Sequence, residues 1–128
     1  QWMRQNLPDQ YLNAGIAEQN LISVAAGLAL GGKIPFVYGI ATFMTMRFFE
    51  QIRNDLCSMN LPVTIVASGA GFSYSGDGPT HHAVQDVAIM RTLPNMTILN
   101  PSDATATSHR YAEQLSTASG LRHLDQRR

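Results

Sequence analysis

This sequence predicts an α/β fold of three layers, an open and mostly parallel sheet with helices on both faces. Three observations predict it. Apolar runs of strand length, IPFVYGI and VTIVA, alternate with longer stretches of helix-forming residues. No internal repeat or low-complexity tract interrupts the alternation. A glycine-rich stretch follows VTIVA directly, where open α/β sheets gather their ligand loops.

The elements follow in order. Tyr11 to Asn13 is a candidate short strand feeding a turn at Gly15. From Ile16 to Leu30 the residues favour helix, with Ile16, Leu21, Val24 and Leu28 at near-helical spacing and Gly31–Gly32 as a C-terminal stop. Ile34 to Ile40 reads as a buried strand. Phe43 to Met59 reads as a helix ended by Asn60 and Pro62, and Val63 to Ala67 as a second buried strand. Ser68 to Pro79 lacks periodicity and reads as a loop. A helix from about His82 to Thr92, a strand from Met96 to Leu99 and a helix opened by Ser102 or Asp103 complete the series. In such a sheet Thr42–Phe43, Gly69 to His81 and Asn100–Asp103 share one rim, with Glu18 beside them if its helix starts there.

Composition narrows the function classes. A chain of 128 residues is one domain's worth, and 45% hydrophobic residues suit an ordinary soluble fold. Nine basic residues balance nine acidic ones without long runs, so the charge that drives nucleic-acid binding has no source here. No apolar run approaches the roughly 18 residues that span a bilayer. The polar opening QWMRQNLPDQ is not a secretory leader, and a start upstream is expected because Met is not first. A lone Cys57 cannot form an internal disulfide. These features predict a reducing, cytoplasmic setting without membrane or nucleic-acid partners.

Three features carry chemistry, and each has a plainer reading. Glu18 sits in the opening turn of a helix among small or apolar residues. A helix-dipole glutamate is the plain reading; a carboxylic acid with a raised pKa, sharing a proton with a ring nitrogen, is the chemical one. Gly76-Asp77-Gly78-Pro79-Thr80-His81-His82 lets backbone approach a ligand and brings histidines to a helix start, where phosphate or oxyanions are attracted. Its plain reading is a glycine-rich loop with surface histidines. Zinc is disfavoured, since no carboxylate or cysteine stands at ligand spacing. Phe43, Met46 and Phe49, spaced by three, form either a core stripe or an apolar wall for an aromatic ring.

GIAEQN, VAAGLAL, GGKIPFVYGIATF, FEQIRND, MNLPV, GDGPTHH and LPNMTILNPSDA, in that order from Leu7 to Asp103, resemble the pyrimidine-binding domain of transketolases. Deoxyxylulose-phosphate synthases and the β subunits of 2-oxo acid dehydrogenases share parts of the pattern, and GDGPTH favours the transketolase branch. The resemblance implies a thiamine-diphosphate enzyme that transfers a two-carbon ketol unit between sugars or sugar phosphates. Glu18 matches the glutamate that hydrogen-bonds the aminopyrimidine and favours the imino tautomer, whose nitrogen deprotonates thiazolium C2. Phe43 and Phe49 match pocket-lining positions, with Met46 at a more variable one. His81 matches a substrate-facing histidine and Asp77 a hydroxyl-reading carboxylate. The histidine expected after VTIVAS has no counterpart, with Gly69 near its place.

The resemblance also implies what must come from elsewhere. Gly76-Asp77-Gly78 is not the Mg2+ motif of these enzymes, because Asn100 stands too close to close it and is followed by Pro101. The diphosphate group and Mg2+ then require a partner domain on another chain or copy, in a homo- or hetero-oligomer, and the chain is inactive alone. Residues 1–128 form one pyrimidine-type domain truncated at both ends: the N-terminal strand is missing, and SGLRHLDQRR is a poor substitute for the last apolar strand. A non-catalytic assembly module and an acyl-transferring thiamine enzyme are the alternatives.

Overall fold

The computed structural model describes residues 2–116 and 121–126. Four parallel strands form one sheet: β1 (Phe36–Ile40), β2 (Thr64–Ser68), β3 (Met96–Leu99) and β4 (Leu121–Gln126), in the order β1-β2-β4-β3. Parallel pairing needs a crossover between consecutive strands. The helices are α1 (Trp2–Asn6), α2 (Glu18–Leu30), α3 (Phe49–Gln51), α4 (Asp86–Met90) and α5 (Ala104–Ser116). The fold class is the α/β one that the alternation predicts. All five residues of β2 are buried, whereas β1 runs along the sheet's edge.

The core gathers Val37 of β1, Ile65 and Ala67 of β2, Phe48, Ile52 and Leu56, and the inner face of α2. That face is not the expected one. Ile22, Ala25, Ala26 and Ala29 point inward, while Ile16 precedes the helix at 95% exposure and Leu28 is exposed. Alanines let α2 approach the 52–57 segment closely, and the larger residues flank that contact.

Four other expectations are corrected. Residues 11–13 form no strand; Asn13 Oδ1 instead accepts the Gly15 amide at 2.9 Å, fixing a turn at Gly15 with φ +69°. The helix predicted from Phe43 to Met59 breaks into turns up to Phe48, then α3, then a π-helical stretch over Ile52–Cys57. Thr45 donates to the Ala41 carbonyl at 2.7 Å, offering the backbone an alternative to a regular helix start. Helix α4 begins only at Asp86, so neither histidine lies at an α-helix start. The cause is a two-way bridge, Gly71 N to Ala83 O and Ala83 N to Gly71 O, both 2.9 Å, which holds His82–Ala83 extended. Finally, the polar 121–126 segment does form a strand. It lies between β2 and β3, where backbone ladders on both sides supply what apolar side chains do not. The preceding Ser119–Gly120 lie outside the described residues.

Asp103 opens α5 as expected, its Oδ1 accepting the Ala106 amide at 2.7 Å. Among the described residues no helix is long and apolar enough to cross a membrane.

Cys57 is fully buried in the π-helical stretch, and burial pushes its thiol up to about 11 from 9.0. Below pH 9 both folded and unfolded chains keep this proton; between 9 and 11 only the unfolded chain releases it, so stability falls there. Urea midpoints measured from about pH 8 to 11 should decline more steeply for the natural chain than for Cys57→Ala.

Candidate functional site

The carboxyl ends of β1 and β2 meet in register, Ile40 against Ser68, and Ala41 N donates to Ser68 O at 2.8 Å. Two loops therefore leave the sheet side by side: residues 41–48 after β1 and residues 69–82 after β2. The start of α2 joins them, because Gln19 Nε2 donates to the Arg47 carbonyl at 3.3 Å.

Glu18 is the first residue of α2, with its side chain only 19% exposed. Its Oε2 lies 3.4 Å from Arg47 Nη1. The Arg47 guanidinium in turn lies over the Phe43 ring, 4.7 Å from its centroid. Phe43 meets the His81 ring edge-on at 5.1 Å, and His81 meets Tyr74 at 6.2 Å. Glu18, Phe43 and His81 thus belong to one contiguous row of side chains on the rim. Arg47 links them without any sequence signal except that it is a cation within an apolar stretch. Its two contacts are weak: a half-exposed ion pair and a cation–π contact are each worth at most about 1 kcal/mol.

The other expected residues scatter. Met46 is exposed, and Phe49 packs against the core, so the stripe of three does not form a single wall. Asp77 is exposed on the same loop as His81, and its carboxylate has no hydrogen-bond or ionic partner among the described residues. Thr80 Oγ1 lies 3.0 Å from His81 Nδ1, and His82 Nε2 donates to the Ser75 carbonyl at 3.4 Å while its ring packs on Phe72. The loop is therefore held by its own side chains as well as by the Gly71–Ala83 bridge.

Three side-chain oxygens are buried without a hydrogen-bond partner among the described residues: Thr42 Oγ1, next to Phe43 on the expected rim, and Gln51 Oε1 and Asp86 Oδ2, which the sequence did not single out. Such atoms are costly unless something satisfies them. Among the described residues no cluster of three His, Cys, Asp or Glu could hold a metal ion.

Gly69, the first residue after β2, takes φ +89°. A Cβ at this position would fall within the Tyr74 ring. Glycine is required here twice, for the backbone and for the space. Ser68, Gly69, Ser73 and Tyr74 line a cavity of about 180 Å³.

Comparison with known proteins gives a consistent result. Residues 1–122 match the family model described as "Transketolase, pyrimidine binding domain". One of the subunits of an apulose-4-phosphate transketolase from Phocaeicola vulgatus is 43% identical over 101 residues, which cover 79% of this chain and 32% of that protein. A 1-deoxy-D-xylulose-5-phosphate synthase from Cyanothece sp. is 44% identical over 101 residues, covering 79% of this chain and 16% of the synthase. A solved split-gene transketolase, described as an inactive beta4 tetramer, superposes with a TM-score of 0.83 at 40% identity. That match covers 96% of this chain and 39% of the solved one. The chain spans about a third or less of the curated relatives it matches.

Gly69→Ala should destabilise the fold by about 2–4 kcal/mol through backbone strain and overlap with Tyr74. Urea unfolding of the double variant Gly69→Ala/Tyr74→Ala should recover the overlap share relative to Tyr74→Ala alone.

Proposed function

We propose a function from one premise: this chain belongs to the transketolase pyrimidine-binding domain family. It forms the pyrimidine-binding half of a thiamine-diphosphate site that transfers a two-carbon ketol unit between sugars. The observation that carries this reading is the row Glu18–Arg47–Phe43–His81, which assembles an acid, an aromatic face and a proton-transfer group on one rim.

The residues fit the aminopyrimidine part of that cofactor. Glu18 brings a largely covered carboxylate to the rim, and Phe43 offers a ring face. Thr42 Oγ1 is a buried hydroxyl still needing a partner. Arg47 covers Phe43 and pairs with Glu18 through contacts weak enough to yield to a planar ring. When bound, thiamine diphosphate supplies the nucleophilic carbon that adds to a ketose carbonyl. Glu18 would hold or release the proton at the pyrimidine nitrogen, and Phe43 would exclude water by stacking. Met46, exposed at the rim, would flank the outer pocket, while Phe49 would support it only from the core side. His81, oriented by Thr80, would exchange a proton with a sugar hydroxyl, and Asp77 would accept a hydrogen bond from another.

The diphosphate and its Mg2+ belong to a partner domain on a second chain or copy. Three exposed apolar side chains around the rim support a covered surface: Ile16, Phe72 and Met46. The inactive beta4 assembly described for the structural relative fits a chain that needs a different partner for activity. A cytoplasmic site of action accords with this chemistry.

A second reading has its own support. The synthase relatives, 39–44% identical, support the alternative of an acyl-transferring thiamine enzyme. Acceptor screening of the assembled complex separates ketol from acyl transfer.

Glu18→Gln, in the full-length protein or complex that carries this chain, should slow exchange of the cofactor's C2 proton by at least about a hundredfold. Circular dichroism should show the fold intact. Exchange at the natural rate would remove Glu18 from this role and favour a non-catalytic assembly module.

A further inference from the structure

We propose that Tyr74 is a specificity-determining residue, the wall of a small hydroxyl-lined pocket beside His81 that seats the hydroxyl-bearing carbons of an uncharged polyhydroxy aldehyde. The proposal rests on the reading above that His81 faces the reacting sugar.

Backbone geometry creates the pocket. The chain turns out of β2 at Gly69, whose positive φ and lack of a Cβ leave room that the Tyr74 ring occupies from further along the loop. A side chain at position 69 and a ring at position 74 exclude one another. Tyr74 therefore presents to this space the chemical group that residue 69 lacks. The same ring touches His81 at 6.2 Å between centroids, so the pocket adjoins the row that begins at Glu18.

The lining selects the ligand class. The cavity of about 180 Å³ is smaller than a whole-ligand site and suits a fragment of a few carbons. Three of its four lining residues, Ser68, Ser73 and Tyr74, carry hydroxyls. Ser73 Oγ donates to the Ala70 carbonyl at 2.7 Å, which leaves its lone pairs to accept. The Tyr74 hydroxyl has no hydrogen-bond partner among the described residues, so it is available to donate. Hydroxyls both donate and accept, and a polyol pairs with such a lining without leaving a group unmatched. None of the four lining residues is charged. A phosphate placed among them would lose part of its water without gaining a counter-charge from the lining.

Two measurements on the full-length protein or complex carrying this chain test the proposal. In the first, ketol-transfer kinetics compare D-ribose, which can fill the pocket, with glycolaldehyde, which is too short. In Tyr74→Phe the ratio of kcat/KM for D-ribose to that for glycolaldehyde should fall about fivefold to tenfold, the effect of one neutral hydrogen bond, with the change in KM. In the second, D-ribose is titrated while the His81 imidazole is followed by NMR, without turnover. Tyr74→Phe should need about fivefold to tenfold more D-ribose for the same shift. An unchanged ratio together with an unchanged titration overturns the proposal. So does a titration in which ribose 5-phosphate binds more tightly than D-ribose and Tyr74→Phe leaves the difference untouched. If the natural protein shows no ketol transfer, the functional reading fails, yet the titration still decides whether Tyr74 governs binding beside His81.

Discussion

Parallel pairing of β1 with β2 is the constraint on which the site depends. With Ile40 opposite Ser68, the loops after the two strands must start beside each other. One loop brings Phe43 and Arg47, the other Tyr74 and His81. Neither loop has a long regular element of its own to hold it. The first is fixed by Thr45 on the Ala41 carbonyl and by Gln19 from α2; the second is pinned by the reciprocal Gly71–Ala83 bridge. A shift of one residue in the strand pairing would part Phe43 from His81, because strand register also decides which face each side chain takes.

The energetics of the row differ from those of the core beneath it. Phe48, Ile52 and Leu56 are fully buried, and each is worth roughly 1.5–3 kcal/mol by removal from water. Above them, Arg47 and Glu18 meet at 3.4 Å with half of the arginine in solvent. The rim thus sets weakly held side chains on a well-buried floor. For the proposed cofactor site that division would matter, since the floor sets positions and the weak contacts can be exchanged for new ones.

Much of this was legible in the residues. The apolar runs located three strands to within about two residues at each end, and the order of short motifs identified the family. Glu18, Phe43 and His81 stood out through that order, since local composition alone left each with an ordinary explanation. What could not be read has physical causes. The inward face of α2 is made largely of alanines, so hydrophobic spacing pointed to the larger residues on its flank. The late start of α4 follows from a backbone bridge between Gly71 and Ala83, which no local propensity reports. The strand at 121–126 owes its place to ladders on both sides and carries no apolar pattern. Arg47 became visible only when α2 and the loop after β1 were brought together.

That strand has a further consequence for how the protein is made. Of the four strands among the described residues, β4 follows the others in sequence, yet it occupies an interior position, with β2 on one side and β3 on the other. On a ribosome the earlier strands emerge first and wait with facing edges unpaired until this segment arrives. Non-local parallel pairing of this kind is slow and leaves adhesive edges open. Synthesis order therefore leaves the facing edges of β2 and β3 open to chaperones, or to other nascent copies, until β4 inserts between them.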